Sequence, residues 1–152
     1  MELTHIITGE AKKPLQYLSS CETVKGKGLK GDRYYNKKGT FNKPQLDQQV
    51  REISILPYES LKECNDRLDS TLEFKELRRN LVIKNFDYEK LKSKEFQIGT
   101  VILKIVRTAP PCRYLSKLLG EDMMVGLKYI GGYRAVVVQS GLISVGDEVK
   151  LD

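Results

Sequence analysis

Histidine and cysteine are scarce in this chain: there is one histidine, His5, and there are three cysteines, Cys21, Cys64 and Cys112. A lone histidine excludes histidine-cluster metal sites, and a Cys–His dyad would have to use His5, which no local pattern ties to a thiol. Three cysteines at wide spacing fit reduced thiols rather than a disulfide framework, and no two stand at metal-ligand spacing. No apolar run approaches the roughly 18 residues of a membrane span. Residues 1–15 lack a basic segment leading into an apolar stretch, so no secretory signal is read and a cytoplasmic location is expected. There is no P-loop.

The composition that remains is that of an ordinary soluble protein. Charged residues make up 30% and hydrophobic ones 40% of 152 positions, enough for one domain over 1–152 with a sizeable core. The net charge of +6, mainly from lysine, suggests an anionic partner, either a phosphate-bearing ligand or nucleic acid. A lysine-rich surface that serves solubility gives the same total, and charge alone does not separate the two.

Glycine and proline are spread through the chain, and no linker divides it. Strands are predicted over 1–8, 15–25, 51–56 and 80–84, then over 101–107, 133–139 and 148–151. Pro57 is expected to open a helix through residue 68, with Leu61, Cys64 and Leu68 as its apolar stripe. Cys64 and Cys21 are therefore read as packing residues. A single helical turn is expected at 88–91, and one or two helices between Cys112 and Tyr129. Residues 25–46 form a long glycine- and lysine-rich loop of the kind that is usually functional or disordered. Phe96-Gln97-Ile98-Gly99-Thr100 and Ile143-Ser144-Val145-Gly146-Asp147 share a pattern that marks a turn into a strand. Many short strands with few helices favour a closed or partly closed β-barrel.

Cys112 carries the strongest chemical signal. It follows Pro110-Pro111, which cannot lie in mid-strand or mid-helix, and it precedes a short helical run, Tyr114 to Leu119, ended by Gly120. The thiol is thus placed at a helix N-terminus beside Arg113. The partial positive charge there and the guanidinium both favour the thiolate that a nucleophilic or sulfur-carrying cysteine needs. A buried cysteine filling a gap at a strand end fits the same local sequence equally well.

Several arginines stand at loop edges. Gly31-Asp32-Arg33 can order a loop by self-pairing, or the aspartate can pin the backbone while Arg33 faces a ligand. Arg78-Arg79-Asn80 precedes a strand, and Arg134 follows Gly131-Gly132 at a strand start. Guanidinium forks suit phosphate or carboxylate, although such groups are often simply solvated. Gly26-Lys27-Gly28-Leu29-Lys30-Gly31 matches G-x-G-x-x-G, but the residues that follow have no helical stripe, so the dinucleotide reading is rejected.

Read in order, these segments resemble the MOSC domain, the module at the C-terminus of molybdenum cofactor sulfurases that also occurs as small standalone proteins. The resemblance rests on Gly28-Leu29-Lys30-Gly31-Asp32-Arg33, Gln49-Val50-Arg51-Glu52-Ile53-Ser54 and Arg79-Asn80-Leu81-Val82-Ile83. It continues through Asp87, Leu91, Phe96-x-Ile98-Gly99 and Pro111-Cys112-x-x-Leu115. Gly132-Tyr133-Arg134-Ala135 and Val145-Gly146-Asp147-Glu148-Val149 complete it. It implies an α+β, mainly β fold, a barrel like that of pyruvate kinase with a few short peripheral helices. It also implies a pocket lined by the long loop, the Arg-Asn strand and the cysteine loop. Cys112 would ligate molybdenum or carry a persulfide. Gly31, Asp32, Arg33, Arg79, Asn80, Arg113 and Arg134 would bind the molybdenum cofactor (molybdopterin), the arginines at its phosphate and Asn80 by hydrogen bonding. Many small members carry a histidine after Gly-Asp, where this chain has Arg33-Tyr34-Tyr35.

The expected function is accordingly molybdenum cofactor binding or sulfur transfer on Cys112. The partners would be an anionic pterin or phosphate ligand, a sulfur donor such as a cysteine desulfurase, or a molybdoenzyme acceptor. No pyridoxal-phosphate site is recognised, so independent desulfurase activity is not expected. The extra N-terminal barrel of the amidoxime-reducing members is not recognised either. Any enzymatic activity would be of the sulfurtransferase or molybdenum-dependent kind. A basic β-barrel that binds nucleic acid, with Tyr34-Tyr35 as stacking rings, is the alternative, ranked lower because aromatics do not interleave with basic residues along the strands. A scaffold acting through protein contacts is the third reading. No membrane association is expected.

Overall fold

A computed structural model describes residues 1–35 and 51–151. The loop beyond Tyr35 and the pair Gln49-Val50 lie outside the described residues. The described residues form a mixed eight-stranded sheet, a smaller three-stranded sheet and four short helices. In the large sheet the order is β11 (Val149–Leu151), β7 (Glu95–Ile98), β8 (Val101–Thr108), β9 (Tyr133–Gln139), β5 (Ile53–Pro57), β6 (Leu81–Lys84), β1 (Glu2–Thr8) and β2 (Gln16–Leu18). The small sheet is β10 (Gly141–Ser144), β3 (Ser20–Val24) and β4 (Gly28–Leu29).

The large sheet curls until the β11 edge reaches the start of β1. Leu3 N donates to Asp147 O at 2.9 Å, Gly146 N to Leu3 O at 2.8 Å and Val149 N to Met1 O at 2.9 Å. The β1 side is thereby joined to the turn before β11 by a few backbone bonds rather than by a continuous ladder. β1 shows how the sequence achieves the curvature. Leu3 and Ile6 both point into the inner cluster, although strict alternation would put them on opposite faces. The register against β6 slips between Leu3 and His5, a bulge that resets the alternation and bends the strand.

β5 is buried on both faces. Ile53 and Ile55 join the inner cluster, and Leu56 joins a second cluster beneath the helices. β5 and β6 are parallel, which requires the crossover that α1 (Glu59–Leu68) and a 3-10 turn (Phe74–Leu77) provide. Pro57 closes β5 instead of opening the helix, which begins two positions later. The predicted stripe is correct: Cys64 is fully buried, with Leu61 and Leu68 packed beside it. Cys21 is buried as well, its thiol donating to the carbonyls of Glu22 and Lys30. Burial pushes both of these thiols up.

The predicted strand over 15–25 is two strands. It leaves β1 after Leu18 and enters the small sheet at Ser20, and between them Ser19 O accepts from Val145 N at 2.8 Å. The glycine-rich 26–31 segment contains β4 and no helix. A Cβ on Gly28, whose φ is +104°, would overlap the Glu52 carbonyl oxygen, so that glycine serves close backbone packing. The two repeated patterns are turns as expected, from β7 into β8 and from β10 into β11, with Gly99 and Gly146 both at positive φ. No helix among the described residues is long and apolar enough to cross a membrane.

Candidate functional site

β8 ends at Thr108, and the chain then runs through Ala109-Pro110-Pro111 to Cys112, the residue that precedes α3 (Arg113–Leu119). The prolines hold this loop extended, and Cys112 is also extended, with φ −129° and ψ 160°. Its thiol makes no capping hydrogen bond and is partly exposed. α3 closes on Gly120 at φ +68°, as the sequence indicates. Arg79 fixes the loop from behind: its Nε donates to Gly131 O at 2.8 Å and an Nη to Ala109 O at 3.1 Å. Ala109 N in turn donates to Gly132 O at 2.8 Å. One guanidinium therefore ties the cysteine loop to the Gly131-Gly132 corner that starts β9.

The thiol faces a small cleft that also includes Arg33, Tyr34, Arg78, Arg79 and Arg134. Its inner cavity is about 30 Å³, room for about two waters. Arg33 is buried and paired with Asp32 at 3.1 Å, and it donates to Arg78 O at 3.1 Å. Tyr34 lies under two cations, with the Arg33 guanidinium 4.5 Å and that of Arg134 5.4 Å from its ring centre. Arg78, Arg79 and Arg134 form no ion pair among the described residues.

The charges register this crowding. Burial, reinforced by Arg134, pushes the Arg79 guanidinium down to about 10, with Tyr34 and Cys112 pulling the other way. Burial, then Arg33, lowers Arg78. Burial pushes the Tyr34 phenol up, but Arg134, Arg33 and Arg79 outweigh it and leave the phenol below its ordinary value. Asp32 is raised by burial, against the opposing pull of Arg33 and of the N–H groups of Tyr34 and Gly9. Four guanidiniums thus surround a space next to a thiol, with one carboxylate behind them.

Of the sequence-stated site residues, the fold brings Arg33, Arg79, Cys112 and Arg134 together. The other four do not line the cleft. Asp32 is fully buried and fixes the loop, its carboxylate accepting from Gly9 N and Tyr34 N at 3.3 Å as well as from Arg33. Asn80 is fully buried, and its amide is committed to the protein. Its Oδ1 accepts from Ser54 N at 2.9 Å and Ser54 Oγ at 3.1 Å, and its Nδ2 donates to Ile7 O at 3.2 Å. The expected hydrogen bond from Asn80 to a ligand is thereby corrected to a structural role. Gly31 is exposed, at φ +88°, and turns the chain so that Asp32 points inward. Arg113 is exposed on α3, outside the cleft.

Arg78 and Tyr34 also line the cleft, although neither was among the residues assigned to the ligand. Arg78 reaches the cleft because it sits in the left-handed region at φ +57°, which nothing in an Arg-Arg doublet signals. Tyr34 was read as a stacking ring, yet it is 4% exposed. It occupies the Arg33-Tyr34-Tyr35 segment where the resemblance led one to look for a histidine. Its lowered phenol has a direct consequence. In a spectrophotometric titration Tyr34 will ionise ahead of Tyr133, which burial pushes up, and below the usual tyrosine value of about 10. Tyr34→Phe will remove that first step. A first step at the ordinary value, unchanged in the variant, would contradict the stacked arrangement.

The molybdenum cofactor can be tested against this donor set. A thiolate is a suitable soft ligand for the metal, and the arginine cluster suits a phosphate. Among the described residues no cluster of three His, Cys, Asp or Glu side chains stands ready to hold a bare ion, so Cys112 would serve a metal that arrives with ligands of its own.

Comparison with known proteins bears on the same geometry. The MOSC domain model matches residues 42–150. The YuaD protein from Bacillus subtilis shares the fold at a TM-score of 0.78 and 16% identity, over 97% of this chain and 93% of that one. YiiM from Geobacillus stearothermophilus matches at 0.73 and 15% identity, over 99% and 74% of the two chains. YiiM from Escherichia coli matches at 0.69 and 16% identity, over 100% and 70%. No curated protein matches the sequence. With its family model covering well over half of the sequence, this chain belongs to the MOSC domain family, which is associated with the molybdenum cofactor.

Proposed function

We propose that the Cys112 cleft is an anion-binding sulfur site. In this reading the guanidiniums of Arg33, Arg78, Arg79 and Arg134 hold an oxyanion-bearing ligand of the molybdenum cofactor class. Cys112 serves as its soft ligand or as the carrier of a sulfane sulfur. The observation that supports it is Arg79: a buried guanidinium, without an ion pair among the described residues, that lines the space beside a thiol. Burying an unpaired charge costs several kcal/mol on the order of the ionic desolvation penalty, and an incoming anion offsets part of that cost.

The bound cofactor would supply oxygen- or sulfur-atom transfer chemistry at its metal. The chain's own residues do the rest. Arg79 and Arg134 favour a negative ligand next to Sγ, and Asp32 keeps Arg33 oriented. Tyr34, its phenol lowered by Arg134, Arg33 and Arg79, lines the cleft beside them. If a persulfide donor loads the site, the Cys112 thiolate attacks its terminal sulfur and the donor leaves as a thiolate. The new terminal sulfur on Cys112 then faces the same cations. The small inner cavity suits that single added atom. The nucleic-acid reading finds less support, because Tyr34 is buried against Arg33 and Arg134 rather than exposed for stacking.

Inorganic phosphate tests the cleft directly. Phosphate will slow alkylation of Cys112 by iodoacetamide about tenfold, as expected for ligand held by charge-assisted bonds over the thiol, with the site assigned by peptide mass spectrometry. An alkylation rate indifferent to phosphate and to other oxyanions would overturn the reading.

A further inference from the structure

The cleft beside Cys112 admits only the tip of a ligand, and a second groove adjoins it. The groove has a volume of about 250 Å³, against about 30 Å³ for the inner cleft. Arg78 lines both. The floor of the groove is apolar: Leu15 is buried, Leu119 is partly buried, and Leu118 is 49% exposed. Lys12, Lys13 and Lys75 stand around it. An Arg78 Nη donates to Lys13 O at 2.9 Å and so fixes the wall between cleft and groove. The long axis of the arrangement follows α3, with Cys112 at its start and Leu118-Leu119 at its end. Seven residues of helix span about 10 Å.

The charge balance of the groove is positive. Lys13 pairs with Glu10 at 2.8 Å, and Lys75 approaches Glu73 at 3.9 Å while lying over the Tyr17 ring. Lys12 forms no ion pair among the described residues. The one carboxylate that lines the groove, Glu76, accepts from Glu73 N at 2.8 Å and so caps its own 3-10 turn. An exposed leucine within a ring of cations matches an apolar stem that ends in a negative group.

Building on the Cys112 reading above, we propose that this groove is a second subsite, for the apolar stem and anionic end of a small elongated ligand. The reactive end of that ligand meets Cys112, about 10 Å away along α3. A hydrophobic carboxylate, sulfonate or phosphate of that length has the required chemistry. The cleft recognises what reacts, and the groove recognises what carries it.

An aromatic disulfide with charged ends serves as probe. The Cys112 thiolate attacks one sulfur of 5,5′-dithiobis(2-nitrobenzoate), the probe's S–S bond breaks, and a mixed disulfide forms on Sγ. The leaving 2-nitro-5-thiobenzoate takes the electron pair and is counted by its colour, while the thiol's proton passes to solvent. Uncharged 4,4′-dithiodipyridine reacts in the same way and provides the reference. The buried thiols of Cys21 and Cys64 react later, and mass spectrometry assigns the first equivalent to Cys112.

The anionic probe is expected to react with saturating kinetics, and its rate relative to the neutral probe to fall about tenfold in Lys12→Glu/Lys75→Glu. Lys104→Glu/Lys150→Glu reverses the same number of exposed charges outside both pockets and should leave the ratio within about twofold. Leu118→Ser should weaken saturation by the anionic probe alone. Equal ratios in the two charge-reversed proteins would overturn the groove while leaving the cleft intact, provided phosphate still protects Cys112. Loss of phosphate protection in the wild type would instead overturn the cleft, and the groove with it.

Discussion

Gly132→Ala will unfold this protein under conditions in which Gly120→Ala leaves it folded. Gly132 sits at φ +97°, where an L side chain is strained, and its added Cβ would overlap the Ile55 carbonyl oxygen and approach the Leu56 Cα at 3.4 Å. Both neighbours are backbone atoms of a strand buried on both faces, so neither can move aside. Left-handed strain of about 1–2 kcal/mol and a backbone collision together should cost about 4 kcal/mol. That is a large part of a typical stability of about 5–15 kcal/mol. Gly120 has a similar φ of +68° but open space around it, so its substitution should cost about 1–2 kcal/mol. Urea unfolding of the two variants is the measurement. Comparable losses would mean that the corner between β5 and β9 is looser than described. Gly131, Gly132 and Arg79 meet at this corner, so the damage extends to the cysteine loop.

Arg79→Met should separate function from stability. Substitution removes two hydrogen bonds from a charged group, each about 1.5–3 kcal/mol, and strands the Gly131 and Ala109 carbonyls. It also relieves the desolvation penalty of a buried cation, which is of comparable size. The two effects oppose each other, so stability should change by no more than about 2 kcal/mol. Anion binding has no such compensation. Phosphate should raise the melting temperature of the wild type and slow Cys112 alkylation, and Arg79→Met should abolish both. Full phosphate protection in the variant would assign the anion site to other residues.

The sequence made the outline of this site legible because its residues stand next to backbone punctuation. Pro110-Pro111 and Gly120 bracket Cys112 and α3, and Gly131-Gly132 places Arg134. Periodicity likewise identified β8, β9 and the core role of Cys64. Other features depended on long-range packing that local sequence does not encode. Asn80 looks like a ligand donor until Ser54 and Ile7, from two other strands, take up its amide. Arg113 is a cation beside the thiol in sequence, but the first turn of α3 directs it to solvent. Arg78 depends on a left-handed residue and Tyr34 on the inward turn at Gly31, and neither has a periodic signature. The split of 15–25 between two sheets follows from the pairing of Ser19 with Val145, far away in the chain.

The most direct test of the central claim is the composition of the protein itself. Wild type and Cys112→Ala should be purified from a host that makes the molybdenum cofactor and compared for molybdenum, pterin and persulfide sulfur. The account predicts that the wild type carries either molybdenum with pterin or an extra sulfur on Cys112, and that Cys112→Ala carries neither. A wild type bare of both, or a variant that retains them undiminished, would contradict it.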